Sequence, residues 1–149
     1  VYYLNGHATD LEEECTRYTS LLSQFPTDIV CLGIGENGHI AFNDPDVANF
    51  NDHKLVKIVK LDHVCRQQQV NEKCFETLEQ VPTEALTLTI PALLKAKWMF
   101  CIVPFKNKSQ AVYRTIHGDI SEKCPASILR RKEKSSLYLD IESAQLLNL

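Results

Sequence analysis

The sequence predicts an α/β fold, a largely parallel sheet with helices on both faces, and three observations carry that reading. Short β-branched apolar runs alternate along the chain with segments of helical periodicity. One run, Asp28-Ile29-Val30-Cys31-Leu32-Gly33, is apolar on both alternating sets of positions, as a strand buried on both faces of a parallel sheet must be. No linker, repeat or low-complexity segment interrupts the pattern. The 149 residues are therefore read as one domain, long enough to bury roughly two-thirds of its unfolded surface.

The elements follow in order. Thr9-Asp10-Leu11-Glu12 reads as a capping box, and Leu11, Cys15, Tyr18, Leu21 and Leu22 recur at helical spacing, so a helix is expected over residues 10–24, closed by Pro26. The strand at 28–33 comes next, then a half-covered strand at 55–61 and a helix at 65–75. Residues 85–90 and 98–103 read as strands around a short helix begun by Pro91. A helix at 106–117 ends at Gly118 in the C-cap role. A helical turn at 125–130, a strand at 136–140 and a last helix at 142–147 complete the pattern. Residues 1–4 read as the tail of a strand in a chain that opens on Val1, so the reading expects further residues upstream and takes 1–149 as a carboxyl-terminal portion.

Composition excludes several classes. A net charge of -3 with dispersed lysines lacks the concentrated basic face that nucleic-acid binding needs. No apolar stretch is long enough to span a bilayer, so no membrane partner is expected. The six cysteines form no C-x-x-C pair and sit inside apolar or helical patterns, which reads as reduced core thiols of a cytoplasmic protein. His53, His63 and His117 have no ligand-like spacing, and no metal is assigned.

In an open α/β sheet, ligands bind beyond the carboxyl ends of the strands. Gly33-Ile34-Gly35-Glu36-Asn37-Gly38 follows the first strand and spells G-x-G-x-x-G, but a dinucleotide loop opens a long helix, and here Asn43-Asp44-Pro45 breaks the chain first. The same loop places His39 five residues before Asp44. An imidazole can shuttle protons near neutrality, and a carboxylate on its other ring nitrogen fixes tautomer and orientation. From spacing alone, a structural His39 that merely caps the loop is an equal alternative.

The run Leu32-Gly33-Ile34-Gly35-Glu36-Asn37-Gly38-His39-Ile40-Ala41-Phe42-Asn43-Asp44-Pro45 resembles the signature loop of the glucosamine-6-phosphate deaminase family. The resemblance extends in order through Leu4-Asn5-Gly6, Cys65-Arg66-Gln67-Gln68-Gln69, Val81-Pro82-Thr83-Glu84-Ala85-Leu86-Thr87, Lys108 and Pro125-Ala126-Ser127. The related 6-phosphogluconolactonases share the fold and the glycine loop, but they do not usually carry the G-H-I-A-F-N-x-P run together with Arg66.

The resemblance implies conversion of glucosamine 6-phosphate and water into fructose 6-phosphate and ammonia, with no cofactor. By the family's mechanism, His39 assists opening of the pyranose ring, with Asp44 orienting it and Asn37 beside them. The family usually has glutamate at the position of Asp44 and often aspartate at that of Asn37. Gly38 belongs to the substrate-binding loop, and Arg66 and Lys108 match the positions that bind the substrate phosphate, a planar fork and a point charge near a helix opening. The family's second base, an aspartate in a Met-Asp-Glu-Tyr type segment, and its first phosphate loop match nothing in these residues. The galactosamine 6-phosphate epimer, lactone hydrolysis and sugar-phosphate binding without catalysis remain alternatives. Family members include hexamers and monomers, so a homo-oligomer is left open. Residues 46–54 do not match the serine and basic pattern of the allosterically activated type, and no such activation is expected.

Overall fold

The computed structural model describes residues 1–148. Helix α1 spans Leu11–Gln24, and its N-cap is Asp10, whose carboxylate accepts from the amides of Glu12 and Glu13. The expected cap at Thr9 thus moves by one residue, because Asp10 alone supplies the acceptor. Strand β1 is Ile29–Leu32, β2 Val56–Lys60, β3 Glu84–Leu88, β4 Trp98–Val103 and β5 Ser135–Leu139. Helix α2 spans His63–Asn71, α3 Ile90–Leu94 and α4 Ser109–His117. The run Pro125–Arg131 winds as a 3-10 helix.

The five strands divide. A three-stranded parallel sheet has β4 between β1 and β5, while β2 and β3 pair antiparallel in a separate two-stranded sheet. Residues 1–4 form no strand, and residues 142–147 make turns rather than the expected helix. Asp140 and Ser143 bond reciprocally there, amide to hydroxyl and amide to carboxylate, and Gln145 and Leu147 donate to the carbonyls of Glu142 and Ala144, three residues back, in place of a helical ladder.

One face of the parallel sheet supplies Met99, Cys101 and Val103 to a core completed by Ile90 and Leu93, Ala111 and Val112 of α4, and Ala126, Ile128 and Leu129. Deleting the Met99 side chain down to alanine in this fully buried position is expected to cost about 2–5 kcal/mol. Denaturant unfolding checks it. The other face is exposed among the described residues: Ile29, Trp98, Ile102 and Tyr138 stand on it with no covering helix. Among the described residues, helices pack on the Met99 face of this sheet.

All six cysteines are free thiols. No helix among the described residues is long and apolar enough to cross a membrane.

The carboxyl end of β4 runs into Pro104 and Phe105, where Phe105 takes φ 80° and ψ 146°. This backbone is strained for any residue but glycine. The Asp140 carboxylate, just past β5, accepts from the Phe105 amide at 2.9 Å and holds it there. Because Phe105 is 62% exposed, its side chain contributes little packing. Phe105→Gly is expected to raise stability by about 1 kcal/mol, the released strain exceeding glycine's entropy cost. A loss of stability would mean that the ring packs in a way its exposure does not show.

Candidate functional site

The loop after β1 is folded by its own backbone. Gly35 donates its amide to the His39 carbonyl at 2.9 Å and accepts from the Gly38 amide at 2.9 Å. Gly38 has φ +93°, and a Cβ there would come within 2.8 Å of Cys124 Sγ, so both the conformation and the space demand glycine. Its carbonyl accepts from the Ala126 amide, which ties the Pro125–Arg131 turn to the loop. Further along, Asn43 Nδ2 donates to the carbonyls of Ile40 and Leu88, and the Phe42 amide donates to Thr87 Oγ1, fastening the loop to β3.

These ties bring His39, Asn37 and Asp44 together. His39 Nδ1 lies 2.8 Å from Asp44 Oδ1 and 2.8 Å from Asn37 Oδ1. Both neighbours are acceptors, so Nδ1 carries the proton, an assignment made from the partners. The amide NH2 of Asn37 donates at 2.9 Å to Asp44 Oδ1 and at 2.9 Å to Asp62 Oδ2, while its carbonyl also takes the His39 amide. Asp44 is buried. Burial works against its charge, but hydrogen bonds from His39 and Asn37 together outweigh it and hold the carboxyl below its usual range. The sign follows: this depressed pKa contributes stability that is present above about pH 4, the unfolded value, and lost as pH falls through the folded one. Asp44→Asn is therefore expected to flatten the acid limb of the stability curve, which unfolding at stepped pH measures.

The other ring nitrogen, Nε2, has no hydrogen bond among the described residues, and His39 lines an open pocket of about 360 Å³. Gly33, Gly35, Gln68, Glu72, Phe105 and Lys108 also line it. This pocket lies at the carboxyl ends of β1 and β4, where the fold class places ligands. Lys108 is buried and its Nζ sits 3.2 Å from Glu72 Oε1, which also accepts from Gln68 Nε2 at 2.8 Å. An anion entering the pocket can take the place of the half-exposed Glu72 carboxylate on Lys108. Asn107 and Arg114 reach back from α4 and its approach to Glu36, bonding its carboxylate and carbonyl respectively.

Arg66 lies elsewhere. Its Nη2 donates to the carbonyls of Leu78 and Val81, its buried Nε has no partner among the described residues, and it is not on the pocket wall. Gly38 is likewise absent from that wall and spends its amide on Gly35. Sequence reasoning did not single out Glu72 or Phe105, and Gly35 and Gln68 entered only as members of the matching runs. A carboxylate just before a helix signals an N-cap, and so signals Asp62, but nothing in the sequence pairs it with Asn37.

His39, Asp44 and Cys65 are the described group whose donor atoms could converge on a metal, all within 4.8 Å of one another. Two features oppose it. Burial, reinforced by the charges of Asp44 and Asp62, pushes the Cys65 thiol up to about 12, so it resists becoming the thiolate a metal needs. His39 Nδ1 is already committed to Asp44 and Asn37.

Fold and site together define a class: an α/β protein that presents a held imidazole and a buried ammonium to one pocket at the ends of parallel strands. The family model described as glucosamine-6-phosphate isomerases/6-phosphogluconolactonase matches residues 1–138. The chain belongs to that family. It is 41% identical over 145 residues to a glucosamine-6-phosphate deaminase of Bacillus cytotoxicus, covering 97% of this chain and 53% of the relative. A Listeria monocytogenes glucosamine-6-phosphate deaminase is 41% identical over 143 residues, covering 96% and 59%. Among solved structures, a monomeric glucosamine-6-phosphate deaminase superposes with TM-score 0.90 at 38% identity, over 97% of this chain and 58% of that one. A 6-phosphogluconolactonase from Trypanosoma cruzi, at 18% identity and TM-score 0.67 over 92% of this chain and 52% of its own, shares the fold. The chain thus spans a little over half the length of the curated relatives it matches.

Proposed function

We propose that the protein carrying this chain deaminates and isomerises glucosamine 6-phosphate to fructose 6-phosphate and ammonia, and that these residues supply ring opening and part of the phosphate site. The observation that carries the reading is His39: its Nδ1 is fixed by Asn37 and Asp44, which leaves Nε2 to the pocket that Lys108 also lines. Nε2 accepts the proton of the C1 hydroxyl and returns it to the ring oxygen as the C1–O5 bond breaks, so the imidazole ends as it began. The Asp44 carboxylate stabilises the transient imidazolium. Moving a proton between C2 and C1 then requires a further base, which this reading assigns to a segment outside these residues.

Lys108 binds the phosphate, and its release from Glu72 accompanies binding. Lys108→Ala is expected to weaken binding of the phosphorylated sugar by about 1.5–3 kcal/mol, the range for charge-assisted hydrogen bonds, at unchanged stability of the fold. Arg66→Ala is expected to lower stability, because the carbonyls of Leu78 and Val81 lose their donor, and to leave binding of the phosphorylated sugar near its native strength. Isothermal titration beside thermal unfolding separates the two.

The reading is tested by ammonia release from glucosamine 6-phosphate with the intact protein. Ammonia and fructose 6-phosphate in equal amounts support it. Acid production from 6-phosphogluconolactone without ammonia would replace it with lactone hydrolysis, and tight binding of the sugar phosphate with neither product would leave a binding protein.

A further inference from the structure

Asp62 stands at the N-cap of α2, outside the pocket wall, and both of its carboxylate oxygens are in use. Oδ1 accepts from the Cys65 amide at 2.6 Å and closes the first turn of α2. Oδ2 accepts from Asn37 Nδ2 at 2.9 Å, a contact across 25 residues of sequence. The NH2 group of Asn37 therefore lies between two carboxylates, Asp44 on one side and Asp62 on the other. An amide held at its nitrogen end by two acceptors has one orientation available, with its carbonyl toward His39. That carbonyl and Asp44 Oδ1 are the two acceptors that fix the proton on Nδ1.

We propose that Asp62 is a positioning residue for His39: by clamping the Asn37 amide it sets which ring nitrogen carries the proton, and so leaves Nε2 as the free base facing the pocket. The proposal rests on the reading of His39 as the proton carrier, but its own content is a tautomer, which is measurable without any turnover. The chemistry also links Asn37 to Asp62. An aspartate at 37 would set a third carboxylate against Asp44 and Asp62 and remove the donor that both accept. Asparagine at 37 gives both carboxylates a donor.

Asp62 combines a helix-capping role with this clamp, so the variants must separate them. Serine caps helices as well as aspartate does but is too short to hold both the Cys65 amide and Asn37. In Asp62→Ser, α2 should remain while Asn37 is free to flip. Asp62→Asn keeps a cap residue too, but an amide has one acceptor where the carboxylate has two, and the remaining NH2 group faces that of Asn37 donor to donor.

The experiment is nitrogen-15 NMR of histidine side chains in the intact protein at a pH where the rings are neutral, with His39 assigned from the spectrum of His39→Gln. The native protein is expected to show His39 in the Nδ1–H form alone. Asp62→Ser and Asp62→Asn are expected to show a mixture of the two tautomers with helix content unchanged by circular dichroism, and kcat lowered roughly tenfold, the lower end of what losing an orienting outer partner costs. A pure Nδ1–H signal in both variants overturns the proposal. A native ring in the Nε2–H form overturns it as well. Should His39 show the expected tautomer shift while the protein releases no ammonia, the positioning role stands and the reading of the activity fails, so the two are told apart.

Discussion

Replacing His39 with glutamine is expected to lower kcat on glucosamine 6-phosphate by a hundredfold or more. Glutamine can keep a hydrogen bond to Asp44 or Asn37, so the loop should hold its shape, but it cannot take a proton from the C1 hydroxyl and return it to the ring oxygen. Loss of a positioned acid/base group costs about 10²–10⁴ in rate. The structure gives this size its basis: the imidazole is buried, its Nδ1 has two acceptors at 2.8 Å, and Nε2 has no hydrogen-bond partner among the described residues. KM should change little, because Lys108 still meets the phosphate. An unchanged kcat with a lowered melting temperature would make His39 a cap for the loop and nothing more.

Gly35→Ala is expected to reduce kcat about as much, without touching any ionisable group. A Cβ on residue 35 would overlap Cε1, Nδ1 and Nε2 of the His39 ring. The requirement here is room and not backbone freedom, since of the loop's glycines it is Gly38 that has the left-handed φ. The backbone at 35 is pinned by its two bonds within the loop, so the ring must give way and leave Asp44 and Asn37. Displacing a reacting group by about 1 Å can cost roughly a hundredfold. The folded core lies behind the sheet ends and should survive, so the far-ultraviolet spectrum should match that of the native protein while kcat falls. Full activity in this variant would mean that the ring position seen here is not the working one.

The two variants bear on how far the sequence can be read. The strand–glycine loop–histidine run was legible because each part has a local cause: β-branched residues ending at Gly33, a turn closed by Asn43-Asp44-Pro45, and a histidine five residues from a carboxylate. The juxtaposition of His39 and Asp44 follows from that local chain. Helix α1 was legible for the same reason, and only its cap shifted from Thr9 to Asp10. What crosses long stretches of sequence was not legible. The antiparallel pairing of β2 with β3 leaves each strand reading like a member of the main sheet, since strand pattern reports burial and not partner. The clamp of Asp62 on Asn37 and the pairing of Glu72 with Lys108 join residues 25 and 36 positions apart, and no periodicity encodes them. Arg66 shows the converse: the resemblance matched it to a phosphate-binding position, whereas its Nη2 is spent on two backbone carbonyls of the following loop. The bare face with Ile29, Trp98, Ile102 and Tyr138 was hidden too, because an apolar strand predicts that something covers it without saying what.

The most direct test of the central claim, that His39 opens the sugar ring, isolates that step from deamination. Exchange NMR of glucosamine 6-phosphate measures interconversion of its α and β anomers, which passes through the open chain and needs no proton transfer at C2. Catalytic amounts of the intact protein are expected to accelerate this exchange well above the uncatalysed rate, and His39→Gln is expected to return it to that rate while still binding the sugar phosphate. Equal acceleration by the native protein and by His39→Gln would contradict the account, because the ring would then be opened by a group other than the imidazole that Asn37 and Asp44 hold.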